Sequence, residues 1–342
     1  MNLPSSFAHR PDLRRSDSFA QATVRATDLR TLAGRFALWR QRVNGGFGTG
    51  LVPPDPLWIA VGSRAEYAYY LNAMARESRR RRALEASLPD GNRDFYVPGY
   101  CWICGRISFL HVDYSYSYLV DGVETPNLRE HLRCPDCQLN NRMRAAVHFF
   151  ERALVAGGRE PSVYMTEQCT PIYTAMSHRH PDLAGSEYFG DRLPLGGFTH
   201  DGLRNESLTR LTFPSASFDV VISLDVLEHV AFVERALAEC RRVLRPGGAL
   251  LFSVPFYPER ETNLVRASED EAGRITHHLP PEYHGDPLST DGCLAYHHFG
   301  WELLDWVRRA GFARVEAVLF WSRGHGYLGP NNLLFTALTD AP

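Results

Sequence analysis

The sequence predicts an α/β fold with a doubly wound, largely parallel sheet in its C-terminal half. Two short and almost continuous apolar runs, at Val220–Ile222 and Ala249–Val254, suit strands that are buried on both faces of a parallel sheet. The segment between these strands carries its apolar residues at three- and four-residue spacing, at Val233, Leu237, Cys240 and Leu244. This spacing predicts a helix with one apolar stripe, and Pro246-Gly247-Gly248 is expected to end it. A strand, a helix and a second strand form the crossover from which doubly wound sheets are built.

Further strand and helix signals alternate on both sides of this crossover, as they do in α/β domains. The predicted strands are Ser162–Thr166, Asp182–Tyr188, Val315–Trp321 and Leu333–Leu338, and a helix is predicted at Trp301–Ala310. Gly311 follows the predicted helix Trp301–Ala310 and favours its termination there.

The central crossover also resembles a known family. The run FDVVISLDVLEHV, from Phe218 to Val230, and LRPGG, from Leu244 to Gly248, are similar to the fourth and fifth strands of class I S-adenosylmethionine-dependent methyltransferases of the type 11 kind. The resemblance covers about forty residues. It implies a Rossmann-like, seven-stranded sheet whose last strand runs antiparallel, an enzyme that transfers a methyl group, and S-adenosylmethionine as the cofactor.

Four of the seven cysteines form two pairs with the same spacing, Cys101-x-x-Cys104 and Cys134-x-x-Cys137. Each pair can place two thiolates on one side of a tight turn, so the pattern predicts a four-cysteine zinc ribbon. Four protein ligands leave no open coordination position, and the predicted zinc is therefore structural. A thioredoxin-like redox pair would need a Cys-x-x-Cys at the head of a helix, and two pairs argue against it.

The sequence indicates three regions. Residues 1–95 are predicted to be mainly helical and are rich in arginine, with a helix at Leu29–Val43, a glycine-rich linker at Gly45–Gly50 and a second helix from Ser63 to about Leu88. Residues 96–150 hold the zinc ribbon, and residues 151–342 form the class I methyltransferase domain. The ribbon is expected either to help shape the substrate side or to act only as a structural staple.

The resemblance implies where the methyl donor binds. Thr166 ends the first strand, and the loop after it, which begins at Glu167, occupies the place of the family's glycine-rich loop but contains no Gly-x-Gly-x-Gly. A polar loop bearing Glu167 suits the ammonium group of the donor, although the missing glycines are also compatible with lost cofactor binding. Glu187 falls where the family holds the ribose hydroxyls, since a carboxylate accepts two hydrogen bonds at once. The alternative is a surface acid at the end of a strand.

Two further positions follow from the same resemblance. Glu206 or Ser207 stands near the place where the family contacts the adenine amine. Leu224 and Asp225, just beyond the fourth strand, are expected to line the cleft at the carboxyl end of the sheet.

Histidines supply the candidates for catalysis. Transfer to a hydroxyl acceptor needs a base, and His284 is the first candidate, in the insert Pro281-Glu282-Tyr283-His284-Gly285-Asp286-Pro287. His229, after the fourth strand, is the second, and the alternative for it is a packing or capping role. The insert resembles one found in methyltransferases that act on sugars or other small molecules. It is also compatible with a structural loop, or with a divalent metal bound together with Asp286.

Composition limits the choice of partners and location. The net charge is -2, all 37 basic residues are arginine, and residues 1–95 hold fifteen arginines against nine acids. No apolar run approaches the roughly 20 residues that cross a bilayer, so a cytoplasmic location and no membrane partner are expected.

The sequence predicts methyl transfer to a small-molecule or glycan acceptor, on oxygen. The alternatives are an RNA methyltransferase and a degenerate methyltransferase fold that only binds. Nucleic acid is disfavoured because Ser223–Val226 lacks the Pro-Pro motif of base amino-methyltransferases, and because the chain is acidic after residue 95.

Overall fold

The computed structural model describes residues 23–25, 52–89, 91, 93–155, 160–330 and 332–341. The predicted helix Leu29–Val43 and linker Gly45–Gly50 lie outside these residues. The described residues form two compact units: the first takes those within 1–61, 65–159 and 318–333, and the second takes those within 62–64, 160–317 and 334–342. The three-region division at residues 95 and 150 stays a prediction.

The first unit combines short strands with helices. Its strands are β1 (Thr23–Arg25), β2 (Trp58–Val61), β3 (Phe95–Cys101), β4 (Arg106–Val112), β5 (Tyr118–Val120) and β6 (Val123–Thr125). Its helices are α1 (Arg64–Ala73, of which Arg64 falls in the second unit), α2 (Ala75–Ala86) and α3 (Asn141–Phe149), and α3 continues into a π-helical turn at Phe150–Leu154. Two helices thus replace the one predicted from Ser63 to Leu88, because Met74 leaves the helical conformation at φ -99° and ψ 7°.

A buried arginine organises the core of the first unit. Arg144, on α3, has no exposed surface, and its guanidinium donates to the backbone oxygens of Leu132, His325 and Gly326 at 3.2, 2.7 and 3.1 Å. These bonds supply polar partners for both Nη atoms of the buried guanidinium. They join α3 both to the segment that leads into Cys134 and to the segment 318–333.

The second unit is built on a mixed sheet. Its strands are β7 (Val163–Met165), β8 (Ala184–Gly185), β9 (Phe218–Leu224), β10 (Leu244–Ser253), β17 (Arg314–Leu319) and β18 (Leu333–Leu338), in the order β17-β18-β10-β9-β7-β8. The last two residues of β17 and the first residue of β18 fall in the first unit. β8, β7, β9 and β10 are parallel, with Val163 opposite Val220 and Leu251 opposite Ile222. β18 pairs antiparallel with β10, which confirms the predicted orientation of the last strand.

The central crossover agrees with its sequence pattern. Helix α5 (Val233–Val243) joins β9 to β10, and it buries Val233, Leu237 and Cys240 of the predicted stripe. β10 begins at Leu244, earlier than predicted, with an irregular register between Leu244 and Ala249. Gly247 provides the positive φ of +75° that this irregularity needs.

Three two-stranded sheets follow β10. They pair β11 (Leu264–Val265) with β16 (His297–His298), β12 (Ala267–Glu269) with β13 (Ile275–His277), and β14 (Tyr283–Asp286) with β15 (Ser289–Leu294). Two helices complete the second unit, α4 (Pro171–Arg179) and α6 (Glu302–Arg309). In the part of the chain that the structure describes, no helix is both long enough and apolar enough to cross a membrane.

Replacing Gly185 with alanine should destabilise the second unit. A Cβ atom at this position would lie 2.2 Å from Cε2 in the ring of Tyr173 on α4, so the ring or the helix that carries it would have to shift. We expect the free energy of unfolding to fall by about 1–3 kcal/mol, the usual cost of overpacking. Urea denaturation measures it.

Gly285→Ala is the matched control, because no atom lies within 4 Å of a Cβ built there. Equal stability losses in the two variants would contradict the close approach of β8 to α4.

Candidate active site and cysteine cluster

The loop after β7 forms one side of the candidate site. Thr166 is buried and its hydroxyl donates to the Ser223 hydroxyl on β9 at 3.1 Å, while the adjacent Glu167 is also buried. The loop ends where Thr170 caps α4, accepting from the Tyr173 N–H at 3.3 Å. The loop therefore has fixed ends although it lacks glycine.

Glu187 holds the middle of this loop. Its Oε1 accepts from the backbone N–H groups of Gln168 and Cys169, at 2.7 and 2.6 Å. Glu187 continues the line of β8 and pairs with Asn205 in an isolated parallel bridge. The carboxylate predicted to hold ribose thus lies directly against the loop predicted to face the donor.

The surroundings of Cys169 change the pKa of its thiol. Burial and the Glu187 carboxylate raise the pKa of Cys169 to about 11, and the charge of Asp286 adds to the effect. The thiol is therefore protonated at neutral pH.

Glu206 has a different environment from the one expected. Its side chain is fully buried, and it accepts from Nε of Arg204 and the N–H of Thr212, both at 2.8 Å, and from the Thr212 hydroxyl at 2.5 Å. The carboxylate is thus engaged in holding its own loop, a role that the sequence reasoning missed. The hydroxyl of Ser207 contacts that of Thr209 at 2.9 Å. Contact of either residue with adenine stays a prediction.

Leu224 and Asp225 lie at the carboxyl end of β9, as expected from the parallel sheet. Leu224 is buried, whereas Asp225 is half-buried and has a positive φ of 53°. Its N–H donates to the Ser253 oxygen at 2.8 Å, and its carboxylate accepts from the Ser253 hydroxyl at 2.7 Å. Two bonds to the end of β10 therefore hold this aspartate in a backbone conformation that non-glycine residues rarely adopt.

The two histidines predicted as catalytic lie together. The rings of His229 and His284 are 4.9 Å apart and nearly perpendicular, although 55 residues separate them in the chain. Burial lowers the pKa of His229, with a smaller contribution from His284, while the charges of Asp225 and Asp286 act in the opposite direction. The imidazole of His229 is therefore neutral at pH 7.

Glu282 is a site residue that the sequence reasoning did not single out. Its Oε1 accepts from Nε2 of His284 and from Nε2 of His298, both at 3.0 Å, and its Oε2 lies 3.1 Å from Nη2 of Arg266. Burial alone would raise the pKa of Glu282, but these hydrogen bonds and charges lower it. The spacing Glu-x-His within the insert was the available signal, since alternate residues of a strand share one face.

The two cysteine pairs occupy equivalent turns in the first unit. The N–H of Gly105 donates to the Cys101 oxygen, and the N–H of Gln138 donates to the Cys134 oxygen, both at 2.9 Å. Gly105 and Gln138 both have positive φ, at 67° and 61°. The first turn joins β3 to β4, and the second is placed beside it by the antiparallel bridge between His111 and Arg133.

The four sulfur atoms lie at the spacing of a tetrahedral metal site. Cys101 Sγ is 3.7 Å from Cys137 Sγ, Cys104 Sγ is 3.8 Å from Cys134 Sγ, and all four sulfurs lie within 4.8 Å of one another. Sulfurs about 2.3 Å from a central Zn²⁺ at tetrahedral angles are about 3.8 Å apart. Disulfides would need about 2.05 Å. The cluster is therefore compatible with a zinc ribbon.

Comparison with known proteins finds similarity to methyltransferases. Residues 175–252 match the family of methyltransferase domains. A Mycolicibacterium smegmatis protein named "Probable S-adenosylmethionine-dependent methyltransferase" is 44% identical over 66 residues, which cover 18% of this chain and 26% of that protein. Mouse arsenite methyltransferase is 29% identical over 157 residues, covering 46% of this chain and 39% of that protein. The chain thus spans about a quarter to two fifths of these relatives.

The chain is also similar to solved structures. An S-adenosylmethionine-dependent methyltransferase from Mesorhizobium loti has 18% identity and a TM-score of 0.37, covering 59% of this chain and 99% of that one. A 1,6-didemethyltoxoflavin-N1-methyltransferase from Burkholderia thailandensis has 17% identity and a TM-score of 0.33, covering 58% and 78%. Both TM-scores are below 0.5.

The second unit should lose stability in mild acid. Burial lowers the pKa of His297 below its ordinary 6.5, and its Nε2 donates to the Ala231 oxygen at 3.3 Å. Below about pH 6.5 the unfolded chain binds a proton that the folded chain does not, so stability falls as the pH falls. The slope reaches at most about 1.4 kcal/mol per pH unit for this residue.

Urea denaturation at pH 7.5 and 5.5 measures this decline, which His297→Gln should reduce. His200→Gln is the matched control, because that imidazole is 97% exposed. A decline that is the same in all three proteins would contradict the assignment to His297.

Proposed function

We propose that this chain transfers a methyl group from S-adenosylmethionine to a hydroxyl of a small-molecule or glycan acceptor. The observation that carries the proposal is the meeting of loops at the carboxyl ends of β7, β8 and β9, within a unit whose segment 175–252 matches methyltransferase domains. In open α/β sheets ligands bind at this edge.

The donor side is proposed to use Thr166, Glu167 and Glu187. The Glu187 carboxylate already accepts two N–H groups, and its oxygens have further lone pairs for the ribose hydroxyls. Leu224 and Asp225 are proposed to line the same cleft from β9, and Glu206 or Ser207 to mark its adenine end. The residues present fit a donor that carries no phosphate, since they supply carboxylates in place of a glycine cradle.

The acceptor side is proposed to use His284 first and His229 second. When bound, the donor supplies a methyl group on a sulfonium centre, whose carbon–sulfur bond breaks with its electron pair left on sulfur as the acceptor oxygen bonds to carbon. The protein aligns the two reactants, excludes water and helps the hydroxyl to lose its proton. The neutral imidazole of His229 and the hydrogen-bonded imidazole of His284 have lone pairs for this task.

Zn²⁺ is proposed as a second bound group, held by Cys101, Cys104, Cys134 and Cys137. The sulfur spacing and the two matching turns support this proposal. Four thiolates close the coordination sphere, so the ion would stabilise the fold of the first unit and take no part in methyl transfer.

Calorimetric titration with S-adenosylmethionine and S-adenosylhomocysteine tests the donor site. The zinc-replete protein should bind in the micromolar range, and Glu187→Ala should weaken binding at least about tenfold, because a charged hydrogen-bond acceptor is lost. Glu187→Gln retains one acceptor oxygen for the loop, so its donor affinity should lie between the affinities of the native protein and of Glu187→Ala.

Asp182→Ala is the matched control, since this exposed carboxylate precedes the same strand. Absence of donor binding by the intact protein would overturn the enzymatic function and leave a binding module. RNA affinity that falls steeply with salt would favour the RNA alternative.

Removal of one predicted zinc ligand should empty the cysteine cluster. Cys104→Ser is expected to reduce the zinc content, measured by mass spectrometry, from about one ion per chain to near zero and to lower the thermal stability. Cys293→Ser, outside the cluster, serves as the control. A native protein that purifies without zinc and takes up none would contradict the ribbon.

A further inference from the structure

Three potential metal ligands meet beside β9. Glu228 and His229 lie in a short helical turn, Leu227–His229, just beyond the carboxyl end of the strand, and His284 lies on β14. One ligand atom from each of these residues lies within 4.8 Å of the other two. Two imidazoles and one carboxylate form a donor set that first-row divalent cations prefer.

The orientation of His229 suits a ligand. Its Nδ1 donates to the Leu294 oxygen at 2.9 Å, so Nε2 is the nitrogen left to bind an ion. Nε2 is the nitrogen that lies toward Glu228, 3.8 Å from its Oε1. Metal-bound histidines characteristically donate their other nitrogen to a carbonyl or a carboxylate in this way.

In His284, as in His229, one ring nitrogen donates a hydrogen bond to an oxygen atom. Its Nε2 donates to Oε1 of Glu282 at 3.0 Å, which leaves the lone pair on Nδ1. Glu282 is itself fixed by His298 and Arg266. The carboxylate–histidine pair can therefore orient an imidazole toward an ion and increase its basicity.

Glu228 contributes the negative charge. It has no exposed surface, and its backbone oxygen accepts from the Tyr296 N–H at 2.8 Å, which fixes the residue in place. A cation bound here would lie beside a buried carboxylate.

We infer that Glu228, His229 and His284 bind a divalent first-row transition-metal ion that holds the acceptor oxygen. Three protein ligands leave open positions, which oxygen atoms of a polyhydroxylated acceptor can fill. This inference rests on the proposed function and refines it: the imidazole lone pairs hold the ion, the ion lowers the pKa of the bound hydroxyl, and the hydroxyl proton passes to water.

Titration of the zinc-replete protein with Mn²⁺ tests the site. Mn²⁺ favours nitrogen and oxygen ligands and does not displace zinc from thiolates. The loss of the free Mn²⁺ signal in electron paramagnetic resonance should report one bound ion per chain. His284→Ala should weaken binding at least about tenfold, and Glu282→Gln, which removes the orienting charge, about tenfold.

His277→Ala is the matched control, because this exposed histidine lies on β13 in the same insert but outside the cluster. Equal losses in His277→Ala and His284→Ala, or no Mn²⁺ binding by the native protein, would overturn the inference. Glu228→Gln affects a buried residue, so its folding is checked by circular dichroism before its Mn²⁺ affinity is compared.

Donor titration of the same samples separates the two proposals. Mn²⁺ binding without any binding of S-adenosylmethionine would support the metal site and overturn the proposed function. Donor binding without Mn²⁺ binding would retain the methyltransferase and return His284 and His229 to direct proton removal.

Discussion

The parallel pairing of β7, β9 and β10 is the constraint on which the rest of the second unit depends. Parallel strands end at the same edge of a sheet, so Thr166, Asp225 and Val254 follow their strands at that edge whatever the intervening sequence. Ser223 and Ser253 bind the residues that leave neighbouring strands, Thr166 and Asp225. Hydrogen bonds between strand ends thus fix the positions from which the site loops begin.

The loop after β7 is held without the glycines of the methyltransferases that the sequence resembles. The Glu187 carboxylate receives two successive N–H groups of the loop, which would otherwise need another buried acceptor. A glycine does allow a close contact between a strand and a helix nearby: Gly185 on β8 lies against the ring of Tyr173 on α4. The carboxylate proposed to hold ribose therefore also shapes the loop, and its substitution affects both.

The first unit depends on fixed polar groups as much as on apolar burial. Arg144 is fully buried and donates from its two Nη atoms to three backbone oxygens, and His148 is stacked on Trp102 with ring centres 3.8 Å apart. Two equivalent turns present four thiols at the spacing of a zinc tetrahedron. A metal there would join two strand turns that have little core of their own, which is the usual reason for a structural zinc.

Much of the fold was predictable from local sequence. The periodicity of α5, the buried strands β9 and β10, the strand Leu333–Leu338 and the pairing of cysteines all depend on residues close together in the chain, so their spacing alone specified them.

The sequence did not indicate the break of the first helix at Met74, nor the engagement of Glu206 with Arg204 and Thr212. The meeting of His229 with His284, and the role of Glu282 between His284 and His298, were decided only by tertiary structure. These contacts join side chains that are up to 55 residues apart, and their geometry depends on strand register and hairpin placement, which no local pattern encodes.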